Sequence, residues 1–360
     1  MEINILIFIR MDVEIKIEHR TSRENYRSVV SDKNAFFIEG GGTKGVYAIG
    51  ILKYLFEENQ YVNLDAVDLF GGTSVGSYLA TALSIGYRKD DLAEITKNID
   101  ISSLVDSKYM FMSTLYRFFT LGHLYEDIGR ENIIISIIEY KIDAINEHLG
   151  IIIKPKDLTF GHLKELNELY PTIYKNLLIN VTDISRSIQI FMTTLSDKWS
   201  NIKIFDALLA SSAIPFVFKP VTLYYNAQED KYGYCEGYGD TINILVDGGV
   251  STNNPLDYFL INKAYDNKVL DYNLWLLKFT SHDQYVKVDS ITSLLKQLVD
   301  YLISGKNDIK MDLVHEEYNI NCINLHSTAK TLDIYTQEQI QQIITIIYNK
   351  CITGELYFGN

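Results

Sequence analysis

Ala66-Val67-Asp68-Leu69-Phe70-Gly71-Gly72-Thr73-Ser74-Val75-Gly76-Ser77-Tyr78-Leu79-Ala80 decides how the rest of this chain reads. A short apolar run ends at Phe70, a glycine-flanked turn follows, and an apolar helical pattern continues through Leu79, Leu83 and Ile85. That order, strand to tight turn to helix with G-x-S-x-G at the turn, predicts a nucleophile elbow. Ser74 would sit in a strained backbone geometry, its hydroxyl raised above the sheet beside the positive end of the new helix. Gly72 and Gly76 are then required, because a Cβ at either would collide with the neighbouring strand or helix. The competing reading is a glycine-rich βα loop with an idle serine; the flanking strand and helix favour the nucleophile.

Working outward, residues 35–39 form a second short apolar strand, which runs into Gly40-Gly41-Gly42-Thr43-Lys44-Gly45. Val46, Ile49, Leu52, Leu55 and Phe56 then mark the apolar face of a helix. Two βα units side by side imply an α/β fold, with a central, mostly parallel sheet flanked by helices. Periodicity predicts helices near 90–100 and 131–149, and another entered at residues 157–160. It predicts strands at 177–182, 188–194, 242–246 and 274–279. A helix over 204–212 stops at Ile214-Pro215, and a late one spans 336–351. Val13, Ile15 and Ile17 alternate as in an edge strand, and residues 224–243 read as a surface excursion. Residues 109–125 are dense in aromatic and apolar side chains, as in a core stripe or, alternatively, a lid or membrane-contacting segment. The expected organisation is an N-terminal extension over 1–34, a catalytic domain over 35–280, and a helical region over 281–360 packed on the same domain.

Composition narrows the function. The chain has 360 residues, enough for a sizeable core. A net charge of −13 sets nucleic acid aside and works against simple electrostatic capture by anionic lipid. Cys235, Cys322 and Cys351 are widely spaced with no CxxC, and read as buried thiols in a reducing, cytoplasmic compartment. No run approaches the length of a membrane span, and residues 3–9 lack the flanks of a signal peptide.

Three glycine-marked loops each follow a strand: 40–45, 72–76 and 247–249. In an open parallel sheet such loops gather at the carboxyl ends of the strands, where ligands bind. Ser74 offers a hydroxyl and Asp247 a carboxylate able to take its proton. The backbone of the 40–45 loop offers N–H groups for an oxyanion, with Lys44 as an anchor. A histidine-assisted triad in the order Ser…Asp…His is available through His282, His315 or His326, none of which sits in a recognisable loop. The rival is a dinucleotide fingerprint, Gly40-x-Gly42-x-x-Gly45. Asp65 and Asp68 lie near the spacing it needs, but Asp68 precedes the last two residues of its strand. A P-loop fails because Val46 follows Gly45. No His/Cys/Asp/Glu group has metal-ligand spacing, and no cofactor is expected.

Taken together, Ile38-Glu39-Gly40-Gly41-Gly42-Thr43-Lys44-Gly45, the elbow and Asp247-Gly248-Gly249 resemble the blocks of the patatin-like phospholipase family. Val181-Thr182-Asp183, Ala210-Ser211-Ser212-Ala213-Ile214-Pro215-Phe216 and Asn254-Pro255 are similar to its intermediate sections. The resemblance spans about residues 35–280. It implies a three-layer architecture related to the α/β-hydrolases and a lipid acyl hydrolase of phospholipase A or lysophospholipase type. Ser74 would be the nucleophile and Asp247 the base of a dyad. Gly40, Gly41, Gly42, Lys44 and Gly45 would form the oxyanion hole, while Gly72, Gly76, Gly248 and Gly249 shape the elbow and the dyad loop. Neither a third catalytic residue nor calcium is implied. Glu39 and Lys44 stand where many members carry Asp and Arg, so both charges are kept. The implied partner is a phospholipid or other acyl lipid met at a transient membrane contact, which Phe118 and Phe119 would serve by insertion. Acyl transfer through the same acyl-enzyme, and a non-catalytic dinucleotide- or lipid-binding module, are the alternatives.

Overall fold

Alternate residues of the strand Asn34–Ile38 enter two different cores. Phe36 and Ile38 join a large one, Ala35 and Phe37 a smaller one, and all four are fully buried. A strand buried on both faces reads as a continuous apolar run, and it needs a layer above and a layer below.

The computed structural model describes residues 13–20, 32–57, 62–98, 127–235, 239, 241–266, 272–280, 287–290, 293–294, 297–298, 301, 318, 320–327, 335–353 and 356–359. Its strands are β1 (Val13–Arg20), β2 (Asn34–Ile38), β3 (Leu69–Thr73), β4 (Asn176–Asp183), β5 (Ile188–Thr193) and β6 (Val221–Asn226). Then follow β7 (Lys231–Gly233), β8 (Thr241–Asp247), β9 (Asn273–Thr280), β10 (Ile320–Ser327) and β11 (Leu356–Gly359). The helices are α1 (Gly45–Glu57), α2 (Val75–Ser84), α3 (Leu92–Asn98), α4 (Ile128–Leu149), α5 (Phe160–Leu169), α6 (Ile204–Ser211), α7 (Asp257–Asp266) and α8 (Gln337–Ile352).

One mixed sheet carries them all, in the order β11-β1-β10-β9-β2-β3-β4-β8-β6-β7, with β5 paired to β4. The centre, β10-β9-β2-β3-β4, is parallel throughout. The wings are largely antiparallel, at β1–β10 on one side and at β4–β5, β4–β8, β8–β6 and β6–β7 on the other. Buried residues of α1, α2, α4, α5, α6 and α8 fill the large core on one face. On the other, Leu256, just before α7, and Phe259, in its first turn, pack with Phe37, Leu274 and Leu276. The layers are therefore three.

Several expectations are corrected here. Strand β1 is not at the edge, because β11 pairs outside it. The stretch read as a surface excursion holds the β6–β7 hairpin, whose Tyr225 and Tyr232 turn inward and meet at a tilt, 4.9 Å between ring centres. The late helix is present, with Ile340, Ile343, Ile344 and Ile347 buried, but two strands accompany it. Strand β10 escapes a hydropathy reading because Asn324 and Ser327 are among its buried residues. Cys322 and Cys351 are buried as expected, whereas Cys235 is exposed. Residues 109–125, with Phe118 and Phe119, lie outside the described residues. Among the described residues, no helix is long and apolar enough to cross a membrane.

Candidate active site

Ser74 joins β3 to α2 with φ 53° and ψ −127°, a conformation that a side-chain-bearing residue adopts only under strain. Close packing imposes it. A Cβ on Gly76 would stand 2.2 Å from the Ile38 carbonyl oxygen, and one on Gly72 would stand 2.3 Å from the backbone of Gly76. The turn is thus pressed against the end of β2. Its backbone is held by hydrogen bonds from distant segments. Ser74 N–H donates to Ser211 Oγ (2.9 Å), and that hydroxyl donates to the Asn180 carbonyl (2.7 Å).

Asp247 reaches the same place from the opposite direction. Strand β8 does not run with the central strands, as the gathering of loops at one sheet end assumed; it descends antiparallel to β4 and ends there. Register fixes the meeting point: Asn180 pairs with Thr73, and the next residue, Val181, pairs with Asp247. Gly248 packs on the Asn180 backbone, where a Cβ would come within 2.4 Å of its carbonyl oxygen.

The carboxylate is completely buried. Oδ1 accepts the Gly249 N–H at 2.8 Å. No donor meets Oδ2 in hydrogen-bond geometry, so Ser74 stands close without a tight bond. Burial raises the Asp247 pKa from 3.8 to about 7, and the Gly249 N–H, the Ser74 hydroxyl and the Arg130 charge pull the other way.

The 40–45 loop completes the group. A Cβ on Gly40 would lie 3.0 Å from Ser74 Cβ and 3.2 Å from the Thr73 carbonyl oxygen, so this loop lies alongside the elbow. Gly41 rests on the Phe279 ring, and Lys44 N–H donates to the Gly41 carbonyl at 3.1 Å. Gly42 turns in the left-handed region at φ 56°. Among the described residues, no acceptor takes the N–H of Gly41 or Gly42. Two adjacent backbone donors beside a hydroxyl are suited to an anion. The Lys44 side chain and that of Glu39 are buried; Glu39 Oε2 accepts the Phe279 N–H at 3.2 Å.

Four other polar residues shape the site without having been assigned a role from the sequence, although Ser211 lies inside the family-like block over residues 210–216. Asn180 donates through Nδ2 to Thr73 Oγ1 (3.0 Å) and the Thr252 carbonyl (2.8 Å), tying the elbow to the dyad loop. Asn253 Nδ2 donates to the Gly40 carbonyl at 2.7 Å. Arg130, only 2% exposed, pairs with Asp127 and donates to Ser212 Oγ (3.0 Å), which shares a 2.8 Å bond with the Tyr78 hydroxyl. Ser211 is the fourth. For Arg130 a signal existed: it lies three and four residues before Ile133 and Ile134, on the buried stripe of α4.

Two alternatives lose ground. His326, on β10, bonds Oγ1 of Thr280 on β9 (2.7 Å) and stands three strands from β3, or roughly 14 Å at ordinary strand spacing. His282 and His315 lie outside the described residues. Asp68, the acid nearest the dinucleotide spacing, sits at the amino end of β3 and accepts the Asn34 N–H (2.9 Å), far from the glycine loop. Among the described residues, no group of three His, Cys, Asp or Glu side chains is arranged to hold a metal ion.

Comparison with known proteins agrees with this architecture. The sequence model of the patatin-like phospholipase family matches residues 36–260. An uncharacterized protein of Acanthamoeba polyphaga mimivirus is 48% identical over 338 residues, 91% of this chain and 90% of that protein. The cGAMP-activated phospholipase of Vibrio cholerae serotype O1 is 27% identical over 260 residues, 69% of this chain but only 62% of the enzyme's length. Among solved structures, VipD from Legionella pneumophila superposes with a TM-score of 0.52 at 16% identity, over 94% of this chain and 70% of that one. At that identity the likeness is one of fold.

Proposed function

We propose, from the premise that this chain belongs to the patatin-like phospholipase family, that it hydrolyses fatty-acyl esters of phospholipids through Ser74 and Asp247. One observation carries the reading: a buried carboxylate, with an unmet oxygen and an affinity for protons near neutrality, beside a hydroxyl on a strained elbow. An ordinary carboxylate is too weak a base to deprotonate an alcohol. Desolvation raises its basicity and removes the competing water.

In the first half-reaction Ser74 Oγ bonds to the acyl carbonyl carbon while its proton passes to Asp247. The carbonyl oxygen becomes an oxyanion held by the N–H groups of Gly41 and Gly42. Collapse breaks the ester bond, and the alcohol leaves with the proton from Asp247. In the second half, water gives its proton to Asp247 and attacks the acyl-Ser74 ester, which releases the fatty acid and restores the hydroxyl.

Ser74→Ala keeps a residue of similar size at the elbow and removes the nucleophile. It should abolish fatty-acid release from phospholipid vesicles while far-UV circular dichroism and melting stay close to wild type. Turnover retained by that variant would remove the reading.

A further inference from the structure

The side chain of Asn253 is 6% exposed and touches the machinery of two loops at once. Its Nδ2 donates to the Gly40 carbonyl at 2.7 Å, which fixes the amide's orientation, since a carbonyl accepts only from the NH2 side. Oδ1 is then turned toward the Cα of Gly40, where a Cβ would lie 2.5 Å from it, and it has no hydrogen-bond partner. A buried amide left half satisfied costs free energy, so its retained bond needs a reason.

The reason lies in the peptide that the bond holds. Peptide units are planar and, in this chain, trans among the described residues. Anchoring the Gly40 carbonyl on Asn253 therefore directs the Gly41 N–H to the opposite side. A glycine-glycine peptide has no side chain to hold it otherwise. Asn253 itself is fixed, because the preceding Thr252 carbonyl accepts from Asn180 Nδ2, and the same nitrogen binds Thr73 Oγ1 next to Ser74. The segment that carries Asp247 thus also carries the clamp on the glycine loop.

We propose that Asn253 is a positioning residue for the acyl-transfer step: it locks the Gly40–Gly41 peptide so that the Gly41 N–H is aimed at the developing oxyanion. This rests on the reading of Ser74 and Asp247 given above. A donor held in place before the reaction stabilises the transition state more than the ground state, so its loss falls on kcat.

The test compares wild type with Asn253→Asp and Asn253→Ala on a soluble short-chain acyl ester, together with the affinity of a fatty-acyl trifluoromethyl ketone. That ketone adds to the serine hydroxyl and leaves an oxyanion in the same place. Asn253→Asp replaces the donor by an isosteric acceptor that repels the Gly40 carbonyl. Its kcat should fall about 100-fold, the order seen when one oxyanion donor is removed, with KM within about threefold of wild type. Asn253→Ala should lose about tenfold or more in kcat, and it brings no buried charge should the first variant fail to fold. Ketone affinity should weaken in step with kcat/KM across the series. If both variants keep wild-type kcat and ketone affinity and only melt earlier, Asn253 is a packing residue and the inference is overturned. If wild type shows no turnover that depends on Ser74, the reading beneath it has failed first.

Discussion

Replacing Asp247 by Asn tests the buried base through stability as well as catalysis. Asn keeps the oxygen that accepts the Gly249 N–H and removes the charge. In the folded chain the carboxyl titrates at about 7 rather than 3.8, with burial the dominant cause. The folded state therefore holds this proton at pH values where the unfolded chain has released it. Stability from this group is complete below pH 3.8 and is lost as pH rises through about 7. At about 1.4 kcal/mol per tenfold, the full span is worth about 4 kcal/mol. The interval between about pH 5 and about pH 8.5 covers roughly 2–3 kcal/mol of it. Urea unfolding of both proteins at those two pH values isolates the term, because all other titrating groups are shared. Wild type should lose that much relative to Asp247→Asn as pH rises, so the inactive variant becomes the relatively more stable protein in alkali. A difference that stays constant with pH, or grows in favour of wild type, would refute the claim that a costly buried carboxylate is kept beside Ser74.

Two further outcomes follow from the same geometry. Gly76→Ala drives a Cβ to 2.2 Å from the Ile38 carbonyl oxygen, a backbone atom that cannot step aside, and should cost about 3 kcal/mol or more. Gly150→Ala, in the left-handed region at φ 67° with open space around it, should cost only about 1–2 kcal/mol; equal losses in denaturant titrations would contradict the packing argument. Arg130→Met leaves Asp127 without its buried partner and should cost about 3 kcal/mol or more. It also removes a charge that favours the Asp247 anion, so the pH at which kcat/KM is half-maximal should move upward; an unmoved midpoint would separate Arg130 from the base.

The parallel centre was legible because its signals are local: an apolar run, glycines, then a 3.6-residue period, twice over in residues 35–56 and 66–85. The wings were not. The β6–β7 hairpin hides its alternation among tyrosines and turn residues, and β10 buries asparagine and serine beside its aliphatics. The same contrast holds at the candidate site. Ser74 and Asp247 announce themselves through the glycines that close packing demands. Asn180, Ser211 and Asn253 act through hydrogen bonds to segments up to 213 residues away, and no local pattern of glycines or apolar period reports such a bond. The direction of β8 was misjudged for a related reason, since a strand followed by a glycine turn looks alike whichever way its neighbour runs.

The central claim is that the elbow hydroxyl is a nucleophile activated by Asp247, and covalent capture reads it without any assumption about the lipid. A fluorophosphonate probe, followed by peptide mass spectrometry, should place one adduct on Ser74, with labelling absent in Ser74→Ala and slowed at least about 100-fold in Asp247→Asn. An unlabelled wild type, or an adduct on another serine that persists in Ser74→Ala, would contradict the account.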